Sequence, residues 1–378
     1  MPKTTPQPDV LILGQHPCAY LAADLLLSKP GLSVAHATIP GEHAPDRLVL
    51  LNPSFFSLHK HLERLRKKLE LTPVCGVTFL SDDPNTRGEW RAKSTAAHVG
   101  CYSEIRKCLA GVAKESGAKL LNPKSLKVHA CDEVGFEVSA DNATLRPKAV
   151  LLAGAIAHEQ ARPLGLPEAF NGEVMRRYSF IRLKGSKWAD LGPKPLVPMS
   201  LDLSGKLTWA WLLPGVDEVQ LAVEQPVSEL QATPPAAVME KWAHVLRKHG
   251  ILKSSDGLPL DRMEGVDMAA AGALTREIVA NRTLLFGPAG GFYTACLEDL
   301  YPNCWSAAFA VEAVRHALAE PHLQDALQPY RQKWGHTLGE YLRGPQQNLR
   351  FLLPLVYRNP VMTSRMAESI LLGKSVVR

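Results

Sequence analysis

No stretch of this sequence approaches the roughly 20 consecutive apolar residues that cross a bilayer, so no membrane-spanning helix is expected in its 378 residues. The opening MPKTTPQPDV lacks the apolar segment of a secretory leader and reads as the start of an unexported chain. Seven cysteines (Cys18, Cys75, Cys101, Cys108, Cys131, Cys296 and Cys304) form no CxxC pair and no zinc spacing, which excludes a zinc module and a dithiol redox motif. Odd in number and scattered, they read as reduced thiols of a cytoplasmic protein. There is no P-loop, no Ser-His-Asp order and no metal-ligand cluster along the chain, and internal repeats and low-complexity tracts are also missing. A net charge of +6, spread along the chain, slightly favours anionic ligands and gives no nucleic-acid footprint.

What is present is an ordinary globular composition, 46% hydrophobic and 21% charged, long enough for two domains. DVLILG (9–14) is a short apolar run ending in glycine, as in a buried parallel strand. A helix follows from Pro17, then a second strand, LSVAHA (32–37), which completes a β-α-β unit. Leu58, Leu62, Leu65 and Leu69 recur at helical spacing among Lys60, Arg64, Arg66, Lys67 and Lys68. They read as an amphipathic helix with a basic solvated face, or as a patch for membrane phosphates.

VCGVTFL and GEWRAKST pair as a hairpin outside the main sheet, and SLKVHAC with GFEVSA as a second hairpin. Between them a helix runs from Tyr102 to Gly117, and AVLLAGA (149–155) is another buried strand of the main sheet. From 172 to 225, FIRLKG, VPMSLDL, LTWAWLL and EVQLAVEQP, separated by Gly, Pro and Asp turns, make an antiparallel sheet. A helix covers 235–250, TLLFGPAGG returns to a buried strand and glycine loop, and Asn303 is placed to cap the next helix. The last fifty residues read as helical and apolar, most strongly in LRFLLPLVY.

A dinucleotide loop uses three glycines: one for the tight turn, one for backbone approach to pyrophosphate, one for close packing of helix on strand. In LILGQHPCAYLAADLL these places hold Gly14, His16 and Ala19. The acid expected at the end of the second strand is replaced by Thr38, with Glu42 the nearest acid.

The order of segments resembles the FAD-dependent oxidoreductases of the p-hydroxybenzoate hydroxylase type, in their geranylgeranyl reductase-like branch, over most of the chain. GCYSEIRKCLAGVAKESGAKLL is similar to the family's helix before its third strand. LTWAWLLPGVDEVQLAV resembles its Trp-Leu-Phe-Pro strand-turn-strand. MAAAGALTREIVANRTLLFGPAGGFYTA resembles the segment ending in Gly-Asp-Ala-Ala-Gly, and SAAFAVEAV the helix after it. The resemblance implies an α/β fold: a Rossmann-like FAD-binding-type domain, an inserted antiparallel substrate lobe and C-terminal helices. The implied boundaries are 1–70, 100–171 and 265–325 for the first, 71–99 and 172–264 for the lobe, and 326–378 for the helices.

The departures from the family pattern fall at the flavin. Pro288 replaces the aspartate that meets the ribityl chain, and it has neither carboxylate nor N–H. Gly154 and Ala155 stand in place of Asp-Gly, and Tyr102 in place of arginine. The packing positions Gly14, Pro17, Ala22, Gly287, Gly291 and Glu312 are kept. The resemblance implies FAD held by Gly14, Gln15, His16, Pro17, Cys18, Ala19, Thr38, Tyr102, Gly154, Gly287, Pro288, Ala289, Gly290, Gly291 and Phe292, with His16 donating to phosphate.

Trp209 and Trp211 share one face of a strand and are candidates for the wall of an apolar substrate site, or simply for sheet packing. Tyr293 and Glu298 are the candidate proton donors, with Asp299, Cys296 and Cys304 in or beside the same loop. The implied activity is a reductase or monooxygenase acting on an apolar small molecule. With one dinucleotide motif, reduction would come from transient NAD(P)H or an electron-donor protein. The alternative is a flavin-free relative that binds an apolar ligand or a partner protein.

Overall fold

A computed structural model describes residues 7–42, 45–129, 136–141, 143–154, 164–166, 175–185, 191–203, 208–253, 257–269, 277–291, 300–339 and 349–374. In chain order come β1 (Val10–Leu13), α1 (Pro17–Leu27), β2 (Val34–Ala37), β3 (Leu48–Leu51), α2 (Lys60–Arg66), β4 (Thr72–Val74), β5 (Gly76–Leu80), β6 (Arg87–Arg91), β7 (Ala97–Cys101), α3 (Tyr102–Glu115) and β8 (Lys119–Leu121). There follow β9 (Leu126–Val128), β10 (Val138–Ala140), β11 (Ala143–Leu145), β12 (Ala149–Leu152), β13 (Met175–Lys184), β14 (Leu196–Ser200), β15 (Trp209–Pro214), β16 (Glu218–Pro226), α4 (Pro235–Lys248) and β17 (Glu264–Ala269). Last are β18 (Val279–Ala280), β19 (Thr283–Leu285), α5 (Leu300–Ala319), α6 (Leu323–Ala326), α7 (Pro329–His336), α8 (Leu349–Arg358) and α9 (Pro360–Leu372).

The short apolar runs at β1, β2 and β12 are buried at every position, as strands of a parallel sheet covered on both faces must be. They lie in a six-stranded sheet of order β18-β19-β12-β1-β2-β8, parallel except for β18 at its edge. α1 packs between α3 and α5 and is apolar almost all round, so nearly all of it is buried. The β9–β10 hairpin gains a third strand in β11.

The second large sheet has the order β17-β13-β16-β15-β14-β5-β6 and is antiparallel except for the β14–β5 pair. Along β15 the side chains alternate between two apolar clusters. Trp209, Trp211 and Leu213 join one cluster with β3, β7, α8 and α9, while Ala210 and Leu212 join the other with Val238, Met239 and Trp242 of α4. With both faces covered, WAWLLP reads as a continuous apolar run rather than an alternating one. The apolar LRFLLPLVY segment lies in α8, where Leu353 and Val356 are buried against this sheet with Met366 and Ile370 of α9. Among the described residues no helix is long and apolar enough to cross a membrane.

One helix start differs from expectation. α5 is already helical at Leu300, so Asn303 lies inside the helix and is not its cap.

Candidate functional site

The carboxyl ends of β1, β2 and β12 meet the amino end of α1, and the loop between β1 and α1 is built on close backbone approach. Gly14 has φ +120°, and a Cβ there would stand 2.3 Å from the Gly154 nitrogen, so a side chain at this position is excluded twice over. Gly14 N–H donates to the Ala37 carbonyl at 3.0 Å, and the amides of Ala153 and Gly154 both donate to Leu13. His36, buried on β2, donates through Nε2 to the Gly14 carbonyl at 2.6 Å. Burial holds its imidazole neutral, with a pKa lowered to about 4 against the smaller opposing effect of that hydrogen bond.

His16 is the N-cap of α1, with Pro17 at the first helical position. The Cys18 N–H donates to its Nδ1 at 3.2 Å, and the Cys18 sulfur lies 3.0 Å from the same nitrogen. The ring is buried and turned back onto its own helix, with Nδ1 engaged as a cap rather than as a phosphate donor. Its ring centroid lies 5.9 Å from that of Tyr102, the two rings tilted by 57°.

The loop amide that would meet an anion is already engaged. Gln15 N–H donates to Glu42 Oε2 at 2.9 Å, and a Cβ on Gly154 would stand 2.8 Å from Glu42 Oε1. Part of Glu42 reaches solvent, while its carboxylate is wedged between the Gln15 amide and Gly154. Burial raises its pKa to about 7; the amides of Gln15 and Ile39 and the charge of Arg106 oppose the rise. Arg106 itself donates to the Gln15 side-chain oxygen at 3.1 Å. An internal carboxylate thus lies at the helix amino end, where dinucleotide folds place pyrophosphate.

A few residues on, Arg47 is buried with its guanidinium 3.9 Å above the Tyr102 ring. Tyr102 opens α3, and its N–H donates to the Arg47 carbonyl at 2.8 Å. Thr38 does not face this crevice group: its hydroxyl donates to Asn122 at 2.6 Å.

On the other side, Gly287 (φ +63°) packs so closely that a Cβ would stand 2.6 Å from the Cys18 sulfur. Its N–H donates to the Ser306 hydroxyl at 2.9 Å. Gly287, Pro288, Ala289 and Gly290 form a buried turn that Gly291 ends at φ +77°. Asn303 is fully buried, and among the described residues neither of its side-chain polar atoms has a hydrogen-bond partner. Phe292, Tyr293, Cys296, Glu298 and Asp299 lie outside the described residues.

The structure therefore gathers Gly14 with Gly154, Gln15 with Glu42, Cys18 with Gly287, and His16 with Tyr102. Trp209 and Trp211 are separate, buried in the apolar cluster of the second sheet. His36, Arg47, Arg106 and Gln220 were not legible as site or joint residues, and Glu42 was legible only as the acid nearest the end of the second strand. Gln220 clamps the two halves, exchanging hydrogen bonds with the backbone of Leu48 at 2.7 and 3.0 Å and donating to the Tyr178 hydroxyl at 2.7 Å. A cleft of about 750 Å³ lies near this joint, lined by Leu48, Thr72, Cys101, Arg182 and Glu218 among others.

No protein-family model matches the chain, and no curated protein matches it by sequence. Solved structures do match. A geranylgeranyl bacteriochlorophyll reductase-like protein from Thermoplasma acidophilum is similar over 93% of this chain and 92% of its own, with a TM-score of 0.70 at 14% identity. A flavin-dependent brominase is similar over 97% and 93%, with a TM-score of 0.67 at 16% identity. A flavoprotein/dehydrogenase from Cytophaga hutchinsonii is similar over 97% and 93%, with a TM-score of 0.66 at 16% identity. The α/β architecture described above, parallel sheet, inserted antiparallel sheet and C-terminal helices together, is the fold shared by the reductase-like protein, the brominase and the flavoprotein.

Proposed function

We propose that the chain is a flavin-dependent oxidoreductase acting on an apolar small molecule, with FAD as its cofactor. The observation that supports this most is the glycine crossing at the amino end of α1. Gly14 lies backbone to backbone against Gly154, and Gly287 leaves room only for the Cys18 sulfur, around the place where this kind of fold receives a pyrophosphate. The proteins of the same fold include two named for flavin and one named as reductase-like.

The backbone fits the group, and one described side chain stands in its way: Glu42 on the Gln15 amide. With Glu42 swung aside, the Gln15 N–H and the amino end of α1 would hold the pyrophosphate. The buried Arg47 guanidinium would add positive charge nearby. The Gly287–Gly290 turn would border the ring. Bound flavin would supply hydride transfer or oxygen chemistry, while the protein supplies orientation and exclusion of water. Tyr293 and Glu298 remain the proposed proton donors, and Trp209 and Trp211 the proposed apolar wall. NAD(P)H binding transiently, or an electron-donor protein, is the proposed reductant in a cytoplasmic setting. The basic face of α2 is the proposed place for any contact with a membrane surface.

One observation favours a second reading, a flavin-free relative: Glu42 and His16 already satisfy the amides of Gln15 and Cys18. A visible absorption spectrum of the purified chain, repeated after incubation with excess FAD and desalting, separates the two. The flavoprotein reading expects flavin bands that survive desalting, in the native chain or in Glu42→Gln. A spectrum empty in both proteins removes that reading and leaves the binding scaffold.

A further inference from the structure

Two turns along α1 from this crevice, Asp24 is buried, with 3% of its side chain exposed. Its Oδ1 accepts from the Ser116 hydroxyl, just past α3, at 2.5 Å, and its Oδ2 lies 2.6 Å from His61 Nδ1. His59 Nδ1 is 4.0 Å from the same oxygen. Among the described residues no lysine or arginine pairs with this carboxylate. Burying a carboxylate costs free energy unless polar groups answer it, and the groups that do so here are a hydroxyl and imidazoles, the side chain most often found on metals.

His59 is the N-cap residue of α2 and His61 its second residue, and their rings meet edge to face with centroids 4.9 Å apart. One donor atom from each of Asp24, His59 and His61 lies within 4.8 Å of the other two. Nitrogen and oxygen ligands at metal-bond length on a tetrahedral ion stand about 3.4 Å apart. The 2.6 and 4.0 Å separations straddle that value, so side-chain rotations close the site, with His59 Nδ1 exchanging the 3.4 Å cap bond it accepts from the His61 N–H for the metal.

We propose that Asp24, His59 and His61 bind one divalent first-row transition-metal ion that ties α2 to α1. Two imidazoles and one carboxylate select zinc, cobalt, nickel or ferrous iron over magnesium and calcium, which take oxygen ligands. About a fifth of each imidazole is exposed, 20% for His59 and 22% for His61, which gives the ion a way in. His61 and Ser116 also border a groove of about 800 Å³ lined by Arg64, Lys68 and Lys107. The remaining coordination positions go to water, or to an anion drawn by those three cations. The site shares no residue with the proposed flavin crevice, so the two proposals stand or fall separately.

The test is titration of the chelator-treated full chain with Co²⁺, followed by competition with Zn²⁺. One Co²⁺ per chain is expected, with visible ligand-field bands, no sulfur-to-cobalt charge-transfer band, and displacement by Zn²⁺. His59→Ala and His61→Ala are each expected to weaken Co²⁺ at least tenfold, and the double variant to abolish binding. Asp24→Asn alters a buried group and is informative only if circular dichroism shows it folded. His59→Ala, at a partly exposed ring, is the deciding variant. Absence of saturable binding, a sulfur charge-transfer band, or unchanged affinity in His59→Ala overturns the site.

Discussion

Two helices in this protein receive a carboxylate at the amino end from the same short segment, and the carboxylates fare differently. Glu42 takes the Gln15 amide before α1, and Asp46 takes the Ser103 amide in the first turn of α3 at 3.1 Å. Burial alone raises the pKa of both. At Asp46 the hydrogen bonds from Ser103, Cys101 and Arg182 outweigh burial and bring the carboxyl below its ordinary range; the Arg182 contact is 2.6 Å. At Glu42 the nearest cation, Arg106, is hydrogen-bonded to Gln15 instead, and burial wins. A helix amino end does not by itself keep a carboxylate charged; at Asp46 side-chain hydrogen bonds do, from Ser103 first, then Cys101 and Arg182. Asp46 is a permanent cap, while Glu42 is an occupant that protonation or a stronger anion can release.

The largest effect that would break this contrast is at the permanent cap. Asp46→Ala should lower stability by about 1–2 kcal/mol in chemical denaturation, since it removes a cap and a charged partner of Arg182. Glu42→Gln, which keeps the shape of the protonated carboxyl, should cost nothing at pH 8 and should raise stability there, where the native carboxylate is ionised against burial. Equal losses in the two variants would erase the difference between cap and occupant.

Next is the ligand. If FAD binds where Glu42 stands, Glu42→Gln should tighten it about tenfold at pH 8, measured by flavin fluorescence quenching. In the native chain FAD should bind more tightly at pH 6 than at pH 8. Above about 7, where the carboxyl ionises, affinity should fall roughly tenfold per pH unit. The variant should show no such slope.

Stability against pH sharpens the comparison further. Glu42, with its folded pKa raised from 4.5 to about 7, contributes fully below pH 4.5 and loses that contribution as pH rises through about 7. His36, lowered from 6.5 to about 4, does the reverse: its contribution is present above 6.5 and is lost as pH falls through about 4. Between pH 4.5 and 6.5 the two slopes oppose and the native chain should be nearly flat. Glu42→Gln should expose the His36 slope, with unfolding free energy rising by up to about 1.4 kcal/mol per pH unit across that window. A flat curve in the variant would remove His36 as the opposing group.

The smallest effect is at Arg106. Arg106→Met takes away a charge that lowers the Glu42 pKa, so the pH midpoint of FAD binding should move upward by a fraction of a unit. A downward move would mean that Arg106 acts through Gln15 rather than on the carboxylate.

Much of the fold was legible because it is local. The burial of 10–13 and 149–152, the turn at Gly14, the β5–β6 and β9–β10 hairpins and the helix from Tyr102 follow from apolar runs, periodicity and turn residues. Asn303 misled because a cap-type residue before an apolar run looks the same in sequence whether the helix starts there or is already under way. His16 was legible as a lost glycine but not as a cap, since the ring's direction depends on Cys18 and Tyr102 around it.

The sequence by itself determined where strands and helices lie and that Gly14 makes the tight turn after the first strand, because alternation, helical period and the missing Cβ are properties of neighbours along the chain; that Gly14 meets Gly154 backbone to backbone came from the fold. Only the tertiary structure decided the charges. Glu42 lies 27 residues from the amide it holds, and Asp24 lies 35 and 37 residues from His59 and His61, the imidazoles grouped around it. Whether such groups are paired, buried or protonated depends on desolvation and on partners delivered by other elements, and no local pattern encodes that.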